Sequence, residues 1–321
     1  MSSPVPRPVA VPHAEPARRR RMIAVGGGKG GIGKTLVSSS LAIELARRGK
    51  EVVLLDADLG GANVHTCLGM DPPLVTLSDF VNKRVARIED VALPTGIEGL
   101  RVVAGALDAL DAANPKYQQK QKLLRQVQQL DVDYVVLDLG AGTHFNVLDF
   151  FLVADQGIAV LMPEPTSIEN VYRFVKAAFF RRLGYLSDQL PIKQLVEQAM
   201  SQRGAPRTPY QLLTEVERLA PEAAPLIHQT IASYRPGLIV NQARSREDLE
   251  MGYSVTAAWK KFFGLEMDFL GALSYDDEVW RSVRRRRPVL VEKPSSRVAQ
   301  DFASVVNELL FLEQQQRARS A

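Results

Sequence analysis

The ten residues Gly26-Gly27-Gly28-Lys29-Gly30-Gly31-Ile32-Gly33-Lys34-Thr35 constrain this chain more than any other stretch. They follow the apolar run Met22-Ile23-Ala24-Val25 and open onto Leu36 through Ala46, where apolar residues recur at helical spacing. The order is strand, glycine loop, helix. Glycines let the backbone turn tightly with its N–H groups inward, the helix N-terminus adds partial positive charge, and Lys34 supplies a full one. Thr35 places a hydroxyl where a phosphate-bound Mg2+ needs an oxygen. Counted from Gly28, the stretch is the phosphate loop G-x-x-x-x-G-K-[ST]. It assigns Gly28, Lys29, Gly30, Gly31, Ile32, Gly33, Lys34 and Thr35 to a bound nucleotide.

Two further apolar runs end in carboxylates. Glu51-Val52-Val53-Leu54-Leu55-Asp56 reads as a buried parallel strand, followed by Ala57-Asp58-Leu59-Gly60-Gly61-Ala62-Asn63. Asp56 and Asp58 either solvate a turn or serve phosphate chemistry, in which an attacking water is held in line and Mg2+ is ligated or oriented. Tyr134-Val135-Val136-Leu137-Asp138 is the second such strand, with Leu139-Gly140-Ala141-Gly142 behind it. A carboxylate at that place holds Mg2+ through water. A later strand, Gly237-Leu238-Ile239-Val240-Asn241, puts an amide at its exposed end, able to donate to and accept from an adenine edge.

These segments together resemble the deviant Walker A family, K-G-G-x-G-K-[ST], to which MinD, ParA and FlhG (FleN) proteins belong. The switch segments Asp56-Ala57-Asp58-Leu59-Gly60-Gly61-Ala62-Asn63 and Asp138-Leu139-Gly140-Ala141-Gly142 are nearest to the FlhG form, as is Pro163-Glu164-Pro165-Thr166-Ser167-Ile168. The resemblance implies an ATP-dependent homodimer in which Lys29 reaches the nucleotide of the partner subunit. It also implies that Asp58 positions the attacking water, that Asp56 supports Lys34 and the metal, and that Thr35 and Asp138 serve Mg2+. Asn63, Gly140 and Gly142 then belong to segments that move with the γ-phosphate, and Asn241 reads adenine. Gly61 and His65 depart from the FlhG pattern, and His65 reads as a loop residue. The D-Q-A-x-x-L-R motif of that branch is missing from the proline-rich start, so a flagellar role does not follow.

The implied fold is α/β: a mostly parallel sheet with helices on both faces, spanning 21–315 and carrying a helical insertion at 184–236. Residues 1–20 hold five prolines and a run of arginines and read as a disordered tail, and 316–321 as a disordered end. In the insertion, Ile192, Leu195, Val196, Ala199 and Met200 share one helical face. Leu212, Leu213, Val216, Leu219 and Ala220 share another, with Pro209 opening the second helix. A single cysteine, Cys67, excludes a disulfide framework and a C-x-x-C cluster site. With no long apolar span, a reduced cytoplasmic setting follows, with the inner face of the membrane as a peripheral alternative.

The expected function is that of an ATP-hydrolysing dimeric switch controlling the position or number of a cellular structure, with ATP and Mg2+ as cofactors. Its partner is expected to be a protein docked on 184–236. A membrane surface reached by the C-terminal helix, and DNA reached by Arg18–Arg21 or Arg284–Arg287, are the alternatives. A DNA-partitioning ATPase, a phosphate-loop kinase or ligase, and an adaptor that binds ATP without turnover are the competing functions.

Overall fold

The computed structural model describes residues 20–58, 61–105, 117–187, 209–219, 221, 225, 228–229 and 234–320. In chain order the elements are β1 (Arg21–Gly26), α1 (Lys34–Arg47), β2 (Val52–Asp56), α2 (Val64–Cys67), α3 (Leu77–Val81), β3 (Leu93–Pro94), β4 (Leu100–Val103), α4 (Tyr117–Val127), β5 (Tyr134–Asp138) and α5 (Phe145–Val153). There follow β6 (Gln156–Leu161), α6 (Pro165–Ser187), α7 (Pro209–Leu219), β7 (Gly237–Ala243), α8 (Arg246–Phe263), β8 (Asp268–Ser274), α9 (Asp277–Arg284), α10 (Val289–Glu292) and α11 (Arg297–Ser320).

The strands form one eight-stranded sheet in the order β3-β4-β2-β5-β1-β6-β7-β8. Every neighbouring pair is parallel except the short β3 against β4. Parallel strands need crossover helices, and these cover both faces. Alternation along each strand divides the core accordingly. Met22, Ala24, Val53, Leu55, Val135 and Leu137 pack with α3, α4, α5, α6 and α8. Ile23, Val25, Val52, Leu54 and Val136 pack on the other face with α1 and α11.

The long C-terminal helix α11 is committed to the sheet. Val298, Phe302, Val305, Val306 and Leu309 are buried against it. Farther along, the buried Glu313 accepts a 2.7 Å hydrogen bond from the Tyr134 hydroxyl and pairs with Arg21 and Arg317. Arg21 also donates to Gln316. Because these contacts tie the last turns to the starts of β1 and β5, the helix continues to Ser320, where a disordered end was expected from 316. At the other terminus Arg20 donates to the Leu130 carbonyl at 2.8 Å and so belongs to the fold, while residues 1–19 lie outside the described residues.

Of the expected insertion, α6 runs to Ser187, and α7 starts at Pro209 with Tyr210 against Gly264. The helical face expected over Ile192 to Met200 lies outside the described residues. Helix α6 begins at Pro165, with the Glu164 carbonyl accepting from Ser167 and Ile168, a start that suits proline's fixed φ and missing N–H. The Ser167 hydroxyl accepts from the Met162 N–H at 2.9 Å and ties the end of β6 to the start of α6.

Candidate nucleotide site

The strand order sets the site. With β5 between β2 and β1, Asp56 stands directly opposite Asp138, and Asp138 opposite Val25 at the end of β1. The glycine loop leaves β1 one residue later. Two carboxylates and the loop thus meet at the C-terminal edge of the parallel sheet, where such sheets bind ligands.

The loop is held by contacts outside itself. A Cβ on Gly28 would lie 2.2 Å from the Asn170 carbonyl oxygen in the second turn of α6, so only glycine lets the loop pass that backbone. Gly33 takes a left-handed φ of 89° and sits in the N-cap position of α1 without a side-chain cap. Lys34 is buried, and its ammonium donates to the Lys29 carbonyl at 3.1 Å, folding across the loop. Burial lowers its pKa, while Asp138 and Asp58 nearby oppose that shift. Among the described residues, the N–H groups of Gly30, Gly31, Ile32 and Gly33 make no hydrogen bond within the protein. Lys29 is exposed and forms no ion pair among the described residues.

Both strand-end carboxyls are fully buried. Asp56 is pushed up to about 7, by burial first and by the neighbouring Asp138 second. Its Oδ1 accepts from the Asp58 N–H and its Oδ2 from the Val64 N–H, both at 3.1 Å. Asp56 therefore shapes the segment after β2 and anchors the start of α2. Asp138 is raised to about 6 by burial, although the Thr35 and Ser38 hydroxyls and Lys34 favour its ionised form. Among the described residues its Oδ1 is buried without a hydrogen-bond partner. Ser38 beside Asp138, Val64 on Asp56 and the Asn170 backbone at Gly28 are site contacts that the motifs did not disclose.

Asp58 is half-buried, with its Oδ1 3.0 Å from where a Cβ on Gly140 would be, so the segments after β2 and β5 touch. Gly140 is buried and Gly142 has a left-handed φ of 92°. Asn63 is exposed in the N-cap position of α2, and Leu59 and Gly60 lie outside the described residues. His65 is buried in α2 beside Arg286, where a loop residue was expected, because the Asp56–Val64 contact winds the chain into a helical turn there. Asn241 is 3% exposed at the end of β7, with its amide directed at the glycine loop.

The residues fit a magnesium-bound nucleoside triphosphate. Unpaired loop N–H groups and Lys34 suit phosphate oxygens. Two buried carboxyls held near neutral pH, one with an oxygen lacking any partner, suit a cation. Among the described residues no group of three or more His, Cys, Asp or Glu side chains could hold a metal. That accords with Mg2+, which takes most of its ligands from phosphate and water.

A parallel sheet with this loop after its central strand, and carboxylates ending the two strands beyond it, defines a P-loop nucleoside triphosphatase. A sequence profile of the ParA family, described as NUBPL iron-transfer P-loop NTPase, matches residues 18–187, over half of the chain. The chain belongs to the ParA/MinD family. Iron transfer itself finds no cysteine set here, Cys67 being alone. Among curated relatives, the chain is 28% identical to antiactivator FleN of Pseudomonas aeruginosa over 90% of its own length and 86% of that protein. It is 31% identical to septum site-determining protein MinD of Synechocystis over 52% of its length and 62% of the relative. Among solved structures, MinD of Pyrococcus horikoshii complexed with Mg-ADP superposes with a TM-score of 0.61 at 22% identity, covering 90% of this chain and 96% of the other. Among the described residues no helix is long and apolar enough to cross a membrane.

Proposed function

We propose that this ParA/MinD-family ATPase binds and hydrolyses ATP with Mg2+, dimerises in doing so, and controls the placement or number of a cellular structure. The observation that carries this reading is the buried Lys34 lying between the loop it bridges and the carboxylates of Asp138 and Asp58. In this reading the Lys34 ammonium exchanges the Lys29 carbonyl for the terminal phosphates. The free N–H groups from Gly30 to Gly33 take the remaining oxygens. Thr35 and Asp138 would hold Mg2+, with Asp56 behind them, and the ion supplies positive charge to the phosphate oxygens. Asp58, resting on Gly140, orients the attacking water. The exposed Lys29 neutralises charge at the nucleotide of the second subunit. Catalysis then rests on charge placement, and turnover is slow.

A protein partner fits better than a membrane as the surface read. Helix α11 is bound to the sheet through Glu313, so its apolar stripe is already covered. The proteins it is similar to point the same way, with an antiactivator and a MinD solved in complex with MinC among them. The segment 184–236 is the docking element in this reading.

The test is ATP turnover together with molecular mass in solution, with ATP and with ADP, for the parent protein, Asp58→Ala and Lys29→Ala. Asp58→Ala should bind ATP, remain dimeric and lose turnover by about a hundredfold or more. Lys29→Ala should bind ATP and stay monomeric. ATP binding without turnover in the parent protein, with nothing changed by Asp58→Ala, would leave an adaptor, and substrate-dependent ADP release from a monomer would mean a kinase or ligase. ATP-dependent DNA binding that collapses with salt would move the protein to the partitioning class.

A further inference from the structure

At the end of β7 the pairing with β8 shifts register between Val240 and Ala243, and Gln242 adopts a left-handed φ of 60°. Asn241 sits inside that irregularity. Its side chain Oδ1 accepts from the Gln242 N–H at 2.9 Å, and its Nδ2 donates to the Ile32 carbonyl of the glycine loop at 2.8 Å. The amide is therefore spent in two directions, holding the bulge on one side and the loop on the other. Only 3% exposed, it offers almost no surface to a base.

The Ile32 carbonyl and the Gly33 N–H belong to one planar trans peptide, so they point in opposite directions. Fixing the carbonyl toward Asn241 fixes the N–H away from it, on the side from which a phosphate approaches. Gly33 itself is fitted to this contact. A Cβ there would lie 2.3 Å from Asn241 Nδ2, and the φ of 89° is strained for any other residue. Lys34 pins the Lys29 carbonyl in the same manner, aiming the Gly30 N–H, but that bond must break when its ammonium turns to phosphate. The Asn241 bond need not. It is the contact that can keep the loop's shape with and without nucleotide.

We propose that Asn241 is a positioning residue for the phosphate loop, and that its contribution to binding is felt by the phosphates instead of the base. This rests on the reading that the loop binds a triphosphate, and it does not depend on hydrolysis or dimerisation. It is a different role from the adenine contact that the strand-end amide suggests from the sequence.

The test compares binding of Mg·ATP, Mg·GTP and inorganic tripolyphosphate to the parent protein, Asn241→Ala and Asn241→Asp, by competition against a fluorescent ATP analogue. The Asp variant keeps the volume but turns an acceptor toward the Ile32 carbonyl. A merely structural role would lower melting temperature without a ligand pattern, so melting is recorded alongside. Positioning predicts that each variant weakens all three ligands by the same factor, about tenfold for one lost hydrogen bond. Loss confined to ATP, with tripolyphosphate unchanged, would overturn it in favour of base reading. If neither variant folds, the side-chain amide of Asn241 in the parent protein decides by NMR. Its resonance should shift on adding tripolyphosphate as it does on adding ATP, and a shift with ATP alone refutes the proposal. A protein that binds none of the ligands would instead sink the nucleotide reading itself.

Discussion

Replacing Asp138 with Asn should make the protein free of metal and nucleotide more stable above neutral pH, while removing its response to Mg·ATP. Asp138 is 1% exposed, and burial moves it from the ordinary 3.8 to about 6. Ionising such a carboxyl works against folding by on the order of 3 kcal/mol. Asp56 is raised to about 7 for the same first reason, with the charge of Asp138 as the second. Because both folded-state values are raised, the folded chain holds these protons more tightly than the unfolded chain. Stability is thus full below 3.8 and declines as pH rises to about 7. The Asn variant keeps only the Asp56 part of that decline, which is itself lessened by the loss of its charged neighbour. Against this, Lys34 loses one of the two carboxylates that favour its charge. A net gain of about 1 to 2 kcal/mol remains, a few degrees in melting temperature for a chain of this size. The assay is melting from pH 5 to 8.5 in chelator, then with Mg·ATP. The parent curve should fall more steeply with pH and recover with Mg·ATP. A variant that melts at or below the parent at pH 8 in chelator would refute the reasoning, since the buried carboxylates would then be compensated by something in the protein itself.

Three further perturbations test separate contacts. Gly28→Ala drives a methyl to within 2.2 Å of the Asn170 carbonyl, so either the loop or the start of α6 must shift; melting should fall by a stability loss of about 1–3 kcal/mol and Mg·ATP affinity should drop with it. Tyr134→Phe keeps the ring but deprives the buried Glu313 of its 2.7 Å donor, which should cost about 1–3 kcal/mol in denaturant unfolding and leave nucleotide affinity unchanged. Arg286→Ala removes the side chain that donates to the Met70 carbonyl and pairs with Asp71; if that contact ties α2 to α9, ATP-dependent change in the fluorescence of the exposed Trp280 should shrink, with Trp259→Phe used to remove the buried indole's signal.

The sequence disclosed the parts of the site that rest on local chemistry. Glycine spacing, Lys34, Thr35 and carboxylates after apolar runs are consequences of phosphate chemistry at strand ends, and a reader needs only neighbours along the chain to see them. Contacts between distant segments carry no such signature. Nothing in Val240-Asn241-Gln242 announces a register shift that turns the amide toward Ile32, nor does Ser38 stand out among Ser38-Ser39-Ser40 as the hydroxyl beside Asp138. His65 illustrates the converse. It reads as a loop residue, yet the Asp56–Val64 hydrogen bond fixes α2, where His65 is buried. At the C-terminus a disordered end was expected from 316, while the order there comes from Arg21 and Tyr134, almost three hundred and almost two hundred residues away.

The two ends of the sheet are built for different tasks. At the strand starts, Tyr134, Arg21 and Glu313 lock β1, β5 and α11 into one buried network, at the opposite end of the strands from the glycine loop. At the strand ends the glycine loop and the segments after β2 and β5 converge on the buried carboxyls of Asp56 and Asp138, and two chains of contact lead away. One runs from Asp56 through Val64 and α2 to Arg286 and the exposed stripe of α9, with Trp280 under the Arg284 guanidinium. The other runs from Gly142 through α5, where Asp149 takes a bidentate pair from Arg181, whose guanidinium also covers the exposed Phe145. Arg181 lies on α6, the helix that leads into the insertion. In the proposed nucleotide cycle a change at the phosphates would reach two exposed aromatic residues, Trp280 and Phe145, along these contacts, with the Glu313 network as a fixed frame. A switch that reports nucleotide state to a partner needs this asymmetry. Loosening the Glu313 network should consequently cost stability without touching the coupling, whereas Asp149→Asn, which breaks the bidentate pair between α5 and α6, should cost stability and also weaken the ATP-dependent change in amide hydrogen exchange along α6.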